Sequence, residues 1–220
     1  MSRKRFEQQL EELHQEMVKM GSLCERAITQ ANIALLEGDH ELAAITIQQD
    51  MEIDEKEKDI EALCLRLLVQ QQPVARDLRQ ITAALKMITD MERIGDQASD
   101  ISELSLSFEK AGDSSIRSRL VRQMAKETAN MVTSSIDAYV KKDLELAAKV
   151  IADDDSVDSL FEQIKLELFN LIRKEPDRGD QALNLLMVAK YFERIGDHAT
   201  NIAEWVVFAM TGRHDMDRPI

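Results

Sequence analysis

One pentapeptide, Glu-Arg-Ile-Gly-Asp, occurs at residues 92–96 and again at 193–197. It belongs to an ordered series of matches, which constrains the fold more than any other feature of the chain. Asp39, Glu41, Leu42, Ala43, Ala44, Ile47, Asp50 and Asp54 recur 104 residues later as Asp143, Glu145, Leu146, Ala147, Ala148, Ile151, Asp154 and Asp158. Pro73 recurs 103 residues later as Pro176. Such a series is the mark of a duplicated unit. Its length, about 105 residues, is that of a small domain.

Each unit reads as helix. The chain has only seven Gly and three Pro among 220 residues, so little interrupts helix formation. Leu10, Leu13, Met17, Met20, Cys24, Ala27, Ala31 and Ala34 recur at spacings of three and four, a core-facing stripe. The breaks fall at Glu37-Gly38-Asp39, at Pro73, at Ala111–Ser115, near Lys142-Asp143 and at Lys174–Asp180. They divide the chain into six helices. The expected fold is all-α, two tandem three-helix units over residues 1–112 and 113–220.

The net charge of −13 argues against nucleic acid as a partner, because phosphate backbones are held by Lys and Arg clusters. No run of about 20 apolar residues is present, and the N-terminus lacks a signal-peptide core. These features predict a cytoplasmic protein. Cys24 and Cys64 lie on apolar stripes and read as reduced core thiols.

Acidic residues then interrupt the apolar stripes. Leu78, Ile81, Leu85 and Ile88 lead to Glu92 and Gly95, with Asp96 alongside; Leu186 and Ala189 lead to Glu193 and Gly196. On the preceding helix of each unit, Ala43 and Ile47 lead to Asp50 and Asp54, and Ala147 and Ile151 to Asp154 and Asp158. Residues four apart share a helix face, so each unit presents two acidic pairs on adjacent helices. In so acidic a chain, pairs at this spacing arise repeatedly by chance; duplication and placement on the core stripe set these apart. Four facing carboxylates cannot all stay ionised without a counter-charge. All-oxygen donors select hard cations such as Mg, Mn, Fe or Ca.

The competing reading is a salt-bridge network closed by Arg93 and Arg194. Arg93, however, immediately follows Glu92, projects about 100° away from it, and is expected to reach another helix. Asp100 extends the first acidic face by a further turn, where the second unit has Asn201. His198 follows Asp197 but lies off its face. Glu11 and His14 form a single Glu-x-x-His element with no counterpart, and read as surface. Gly95 and Gly196 leave room either for a close helix approach or for an ion against the backbone. No Gly-rich phosphate loop, Ser/His/Asp set or CxxC element supports catalysis.

The Asp-x-x-x-Asp hairpin followed by Glu-Arg-Ile-Gly-Asp-x-Ala-x-x-Ile-x-Glu-like segments resembles the PhoU family, accessory proteins of phosphate-specific ABC transport. The resemblance runs from about Phe6 to Met210. It implies two three-helix bundles related by a pseudo-twofold axis, with hard-metal sites, single or multinuclear, holding Fe, Mn, Mg or Zn. Their ligands would be Asp50, Asp54, Glu92 and Asp96 in the first unit, and Asp154, Asp158, Glu193 and Asp197 in the second. Asp100 adds a further candidate, at a position where the family more often carries Asn. A cytoplasmic, non-enzymatic negative regulator of the phosphate regulon is implied. It would dimerise, couple the transporter's ATPase subunit to a sensor histidine kinase, and approach the membrane only through those partners. A carboxylate-bridged metalloenzyme would need His ligands and a substrate pocket. A purely structural scaffold would need every acid matched by arginine.

Overall fold

The computed structural model describes residues 3–71, 73, 75–108 and 119–213. Six α-helices account for nearly all of them: α1 (Arg3–Glu37), α2 (His40–Gln71), α3 (Arg76–Ser105), α4 (Arg119–Lys141), α5 (Leu144–Lys174) and α6 (Gly179–Thr211). A single 3-10 turn, Pro176–Arg178, joins α5 to α6. The expected all-α fold of two three-helix units is observed. The proposed division at 112/113, within the Ala111–Ser115 break, lies outside the described residues.

The two hairpin turns show how closely the units match. At the end of α1, Gly38 takes a left-handed conformation (φ 71°) and the Asp39 amide bonds the Ala34 carbonyl at 3.1 Å. At the end of α4, Lys142 takes the same conformation (φ 53°), and Asp143 bonds Ala138 at 3.0 Å. This closes the helix C-terminus by a residue that glycine fills most cheaply. Asp39 and Asp143 then cap α2 and α5, each accepting main-chain N–H bonds at 3.0 Å.

The buried stripe of α1 follows the expected positions from Leu13 to Ala34. On α3 Ile81 and Ile88 are buried and Leu85 half-buried as expected, whereas Leu78 is exposed and Ala84, Met87 and Met91 widen the buried arc. A helix flanked on both sides buries a wider arc than a single stripe shows. α3 packs on α1, α2 and α6, and α6 on α3, α4 and α5. The units thus meet along α3–α6 and α1–α4, and their apolar residues form one continuous core. Methionines fill much of it, including Met17, Met20, Met87, Met91 and Met124.

Cys24 and Cys64 are free and buried, and the Cys24 thiol donates to the Met91 carbonyl at 3.3 Å. Burial pushes the Cys64 thiol up to about 12, which leaves it protonated. No helix among the described residues is long and apolar enough to cross a membrane.

Candidate metal centre

In the first unit α2 and α3 lie antiparallel and bring their acidic pairs together. One carboxylate oxygen from each of Asp50, Asp54 and Asp96 lies within 4.8 Å of the other two. Ligands on opposite sides of a hard cation, each at about 2.1–2.5 Å, stand about 4.2–5 Å apart, so this spacing suits one ion. Glu92, one turn before Asp96 on α3, is half-buried beside them.

Electrostatics mark the same spot. Burial, then the neighbouring Asp96, Asp54, Glu92 and Asp100, push the Asp50 carboxyl up to about 6. Glu92 and Asp100 are also raised, chiefly by burial. Asp50 Oδ1 is buried with no hydrogen-bond partner. A polar atom so placed costs free energy unless something satisfies it, and a cation would do so.

Gly95 lies against this atom. A Cβ there would stand 3.0 Å from Asp50 Oδ1 and 2.8 Å from Ile53 Cδ1. The glycine therefore allows α2 to approach closely and leaves the Asp50 carboxylate space to aim inward. Of the two roles expected of it, the close helix approach is the one observed at this residue.

Arg93 departs from expectation. Its guanidinium turns back along its own helix, Nη1 bonding Asp96 Oδ2 at 2.9 Å and Nε standing 3.4 Å from Glu92 Oε2. The side chain is half exposed, and its length lets it curl over one turn to the nearest negative charge. One arginine against five carboxylates leaves the cluster strongly negative. It does not satisfy Asp50.

The second unit repeats the arrangement more openly. Burial, then Glu193, Asp154 and Asp158, push Asp197 up to about 6, which places the four predicted acids near one another. Asp158 is exposed, Asp197 is sheltered on only one side with much of its surface open, and Lys190 forms an ion pair with Glu193. Among the described residues, only the first unit brings three carboxylate oxygens to ion-holding distance.

Asp100 has a second allegiance. It lies near the Tyr191 side chain and feels the Arg194 charge, both from α6. The same contact occurs with the units exchanged: Asp90 on α3 accepts from Asn201 Nδ2 at 3.0 Å, and His198 Nδ1 is 2.9 Å from the same Asp90 oxygen. Positions 90 and 191, and 100 and 201, correspond in the repeat, so the two contacts are one interaction made twice about the pseudo-twofold. His198 and Asn201 thus face the seam. Sequence reasoning passed over Asp90; laying the 101-residue offset over both helices would have paired it with Tyr191. His14, read as surface, is half-buried with its ring centroid 5.3 Å from that of Tyr139.

The family model of the PhoU domain matches residues 17–105 and 121–206, one match in each unit. The chain belongs to the PhoU family. It is 40% identical to a phosphate-specific transport system accessory protein PhoU homolog of Clostridium acetobutylicum, over 97% of both chains. The homolog of Pseudomonas aeruginosa is 33% identical over 94% of this chain and 86% of that protein. The crystal structure of PhoU from P. aeruginosa superposes with a TM-score of 0.90, covering 94% of this chain and all of that one. The phosphate transport system regulatory protein PhoU from Streptococcus pneumoniae gives 0.86 at 25% identity, over 95% of this chain and 98% of that one.

Proposed function

We propose that this protein is a metal-binding accessory regulator of phosphate transport, not an enzyme. The full-length likeness to proteins named as accessory or regulatory components supports the phosphate role. The observation that carries the metal role is the buried, unpartnered Asp50 oxygen among convergent carboxylates. Asp50, Asp54, Glu92 and Asp96 would hold a hard cation of the Fe, Mn, Mg or Zn type. Asp154, Asp158, Glu193 and Asp197 form a second, more open site, and Asp100 is an outer ligand shared with the seam. An ion there supplies positive charge that locks α2 to α3 and α5 to α6.

The regulator works in the cytoplasm as a homodimer. It restrains uptake and represses the phosphate regulon by coupling the transporter's ATPase subunit to a sensor histidine kinase. Absence of a recognisable nucleophile–base set at either cluster favours this over a carboxylate-bridged hydrolase or oxidase. Two measurements test the reading. Dialysed protein retains metal, and Glu92→Gln with Asp96→Asn removes the share held by the first unit; retention at the wild-type ratio would refute the ligand set. Deleting the gene derepresses alkaline phosphatase in phosphate-replete cells, and unchanged expression would rule out the regulatory role.

A further inference from the structure

At one end of the molecule, where α1 and α3 of the first unit meet α4 and α6 of the second, lies a cavity of about 510 Å³. That volume falls within the range of small-molecule sites, about 300–1,000 Å³. Its apolar lining includes Leu10, Leu13, Val206 and Met210. The exposed Arg76 and Lys142 belong to the lining, Glu7 and Glu11 add negative charge, and the His14 and Tyr139 rings, tilted 37° to each other, complete it.

Both cations stand where the repeat has glycine. Arg76 opens α3 as Gly179 opens α6, three residues after the matched prolines. Lys142 closes α4 as Gly38 closes α1, in the same left-handed conformation. A lysine there bears a strain that the other unit avoids. The neighbouring Ala75 is also at positive φ, 46°. These are the two non-glycine residues so strained among the described residues; Lys142 lines the cavity, and Ala75 directly precedes Arg76, which does too. Strain of this kind persists where a side chain is needed in place.

The charges are also uncommitted. In a chain of net charge −13, neither the Arg76 guanidinium nor the Lys142 ammonium has an ion-pair partner among the described residues. The Tyr139 hydroxyl and the His14 ring nitrogens likewise have no hydrogen-bond partner among them. Donors thus stand beside an apolar lining.

We propose that this cavity is a binding site for a small amphipathic anion, one phosphate or carboxylate head carried on an apolar or aromatic body. Arg76 and Lys142 hold the head, since a guanidinium fork and an ammonium both match such groups. The body lies along the apolar lining beside the Tyr139 ring. Glu7 and Glu11 repel a second anionic group and accept N–H donors from the body. This site is separate from the carboxylate clusters and does not depend on their holding metal.

Isothermal titration of the full chain with three probes tests it: AMP (aromatic body), decanoate (aliphatic body) and inorganic phosphate (head alone). AMP or decanoate binds one per chain, and phosphate at tenfold higher concentration does not. Arg76→Gln and Lys142→Gln each weaken that binding at least tenfold with an unchanged melting temperature. Lys142→Gly weakens it while raising the melting temperature. Ala209→Leu, which fills the cavity, abolishes binding, whereas Glu92→Gln with Asp96→Asn leaves it unaltered. Failure of both amphipathic probes, binding that survives the two charge substitutions, or equal binding of phosphate alone would overturn the proposal.

Discussion

Around Gly95, the Asp50 carboxylate is buried and unpartnered, and a Cβ would press on it; around Gly196, the corresponding Asp154 Oδ1 would stand at 3.6 Å, an ordinary contact. The first cluster turns three oxygens toward one point, whereas the second leaves Asp158 and much of Asp197 exposed and pairs Glu193 with Lys190. Identical pentapeptides thus sit in unlike surroundings. The difference comes from residues outside the motif: Ile53 against Val157 on the facing helix, and Lys190 against Thr89 one turn before. Copying a ligand set does not copy the packing that aims it.

The largest effect that would break the equivalence of the units is expected at their seam. Asp90→Ala removes the acceptor of both His198 and Asn201 and costs about 2–3 kcal/mol in denaturant unfolding. Its symmetry counterpart, Tyr191→Phe, removes the hydroxyl near Asp100 and costs no more than about 0.5–1 kcal/mol. Equal costs would show that the seam is more symmetric in energy than in chemistry.

Alanine at the two glycines sharpens the contrast between clusters. Gly95→Ala displaces Ile53 and Asp50, lowers stability by about 1–2 kcal/mol and abolishes metal retention at the first cluster. Gly196→Ala meets nothing closer than 3.5 Å and gains up to about 1 kcal/mol of helix propensity. Thermal unfolding with metal analysis of both variants decides the matter; a stabilising Gly95→Ala that still holds metal would remove the distinction.

A smaller effect is expected in the pH dependence of metal-free protein. Folding raises Asp50 from 3.8 to about 6, so between those values the native state binds more protons than the unfolded chain. This group's contribution therefore falls as pH rises from about 4 to 6, and Asp50→Asn removes the loss. The variant gains on wild type by about 1 kcal/mol across that window, the full 1.36 kcal/mol per unit being reduced by solvent screening. A gain that is flat with pH would mean that Asp50 is not crowded by its neighbours.

Helices and breaks were legible because propensity, Gly-Asp and Pro signals act locally: α1 ends at Glu37 and α2 opens at His40, as the break at Gly38 indicates. The acidic faces were legible because a spacing of four fixes a common face on any helix. Arg93 was misread because a flexible side chain answers to the local field, not to its Cβ direction. Asp90 and the cavity were invisible to pattern reading, since each forms only when elements from both units meet. The unequal shape of the clusters depends on Ile53 and Lys190, ordinary helix residues that carry no signal alone.

The apolar face along α3 and α6 bears on how such a molecule could arise. A lone ancestral unit would have left that face wet, and the cheapest cover was an identical neighbour turned half a revolution. Joining two genes end to end would turn that encounter into an intramolecular one and free each half to drift. The glycine at one bend and the lysine at the other show the halves free to take on different tasks.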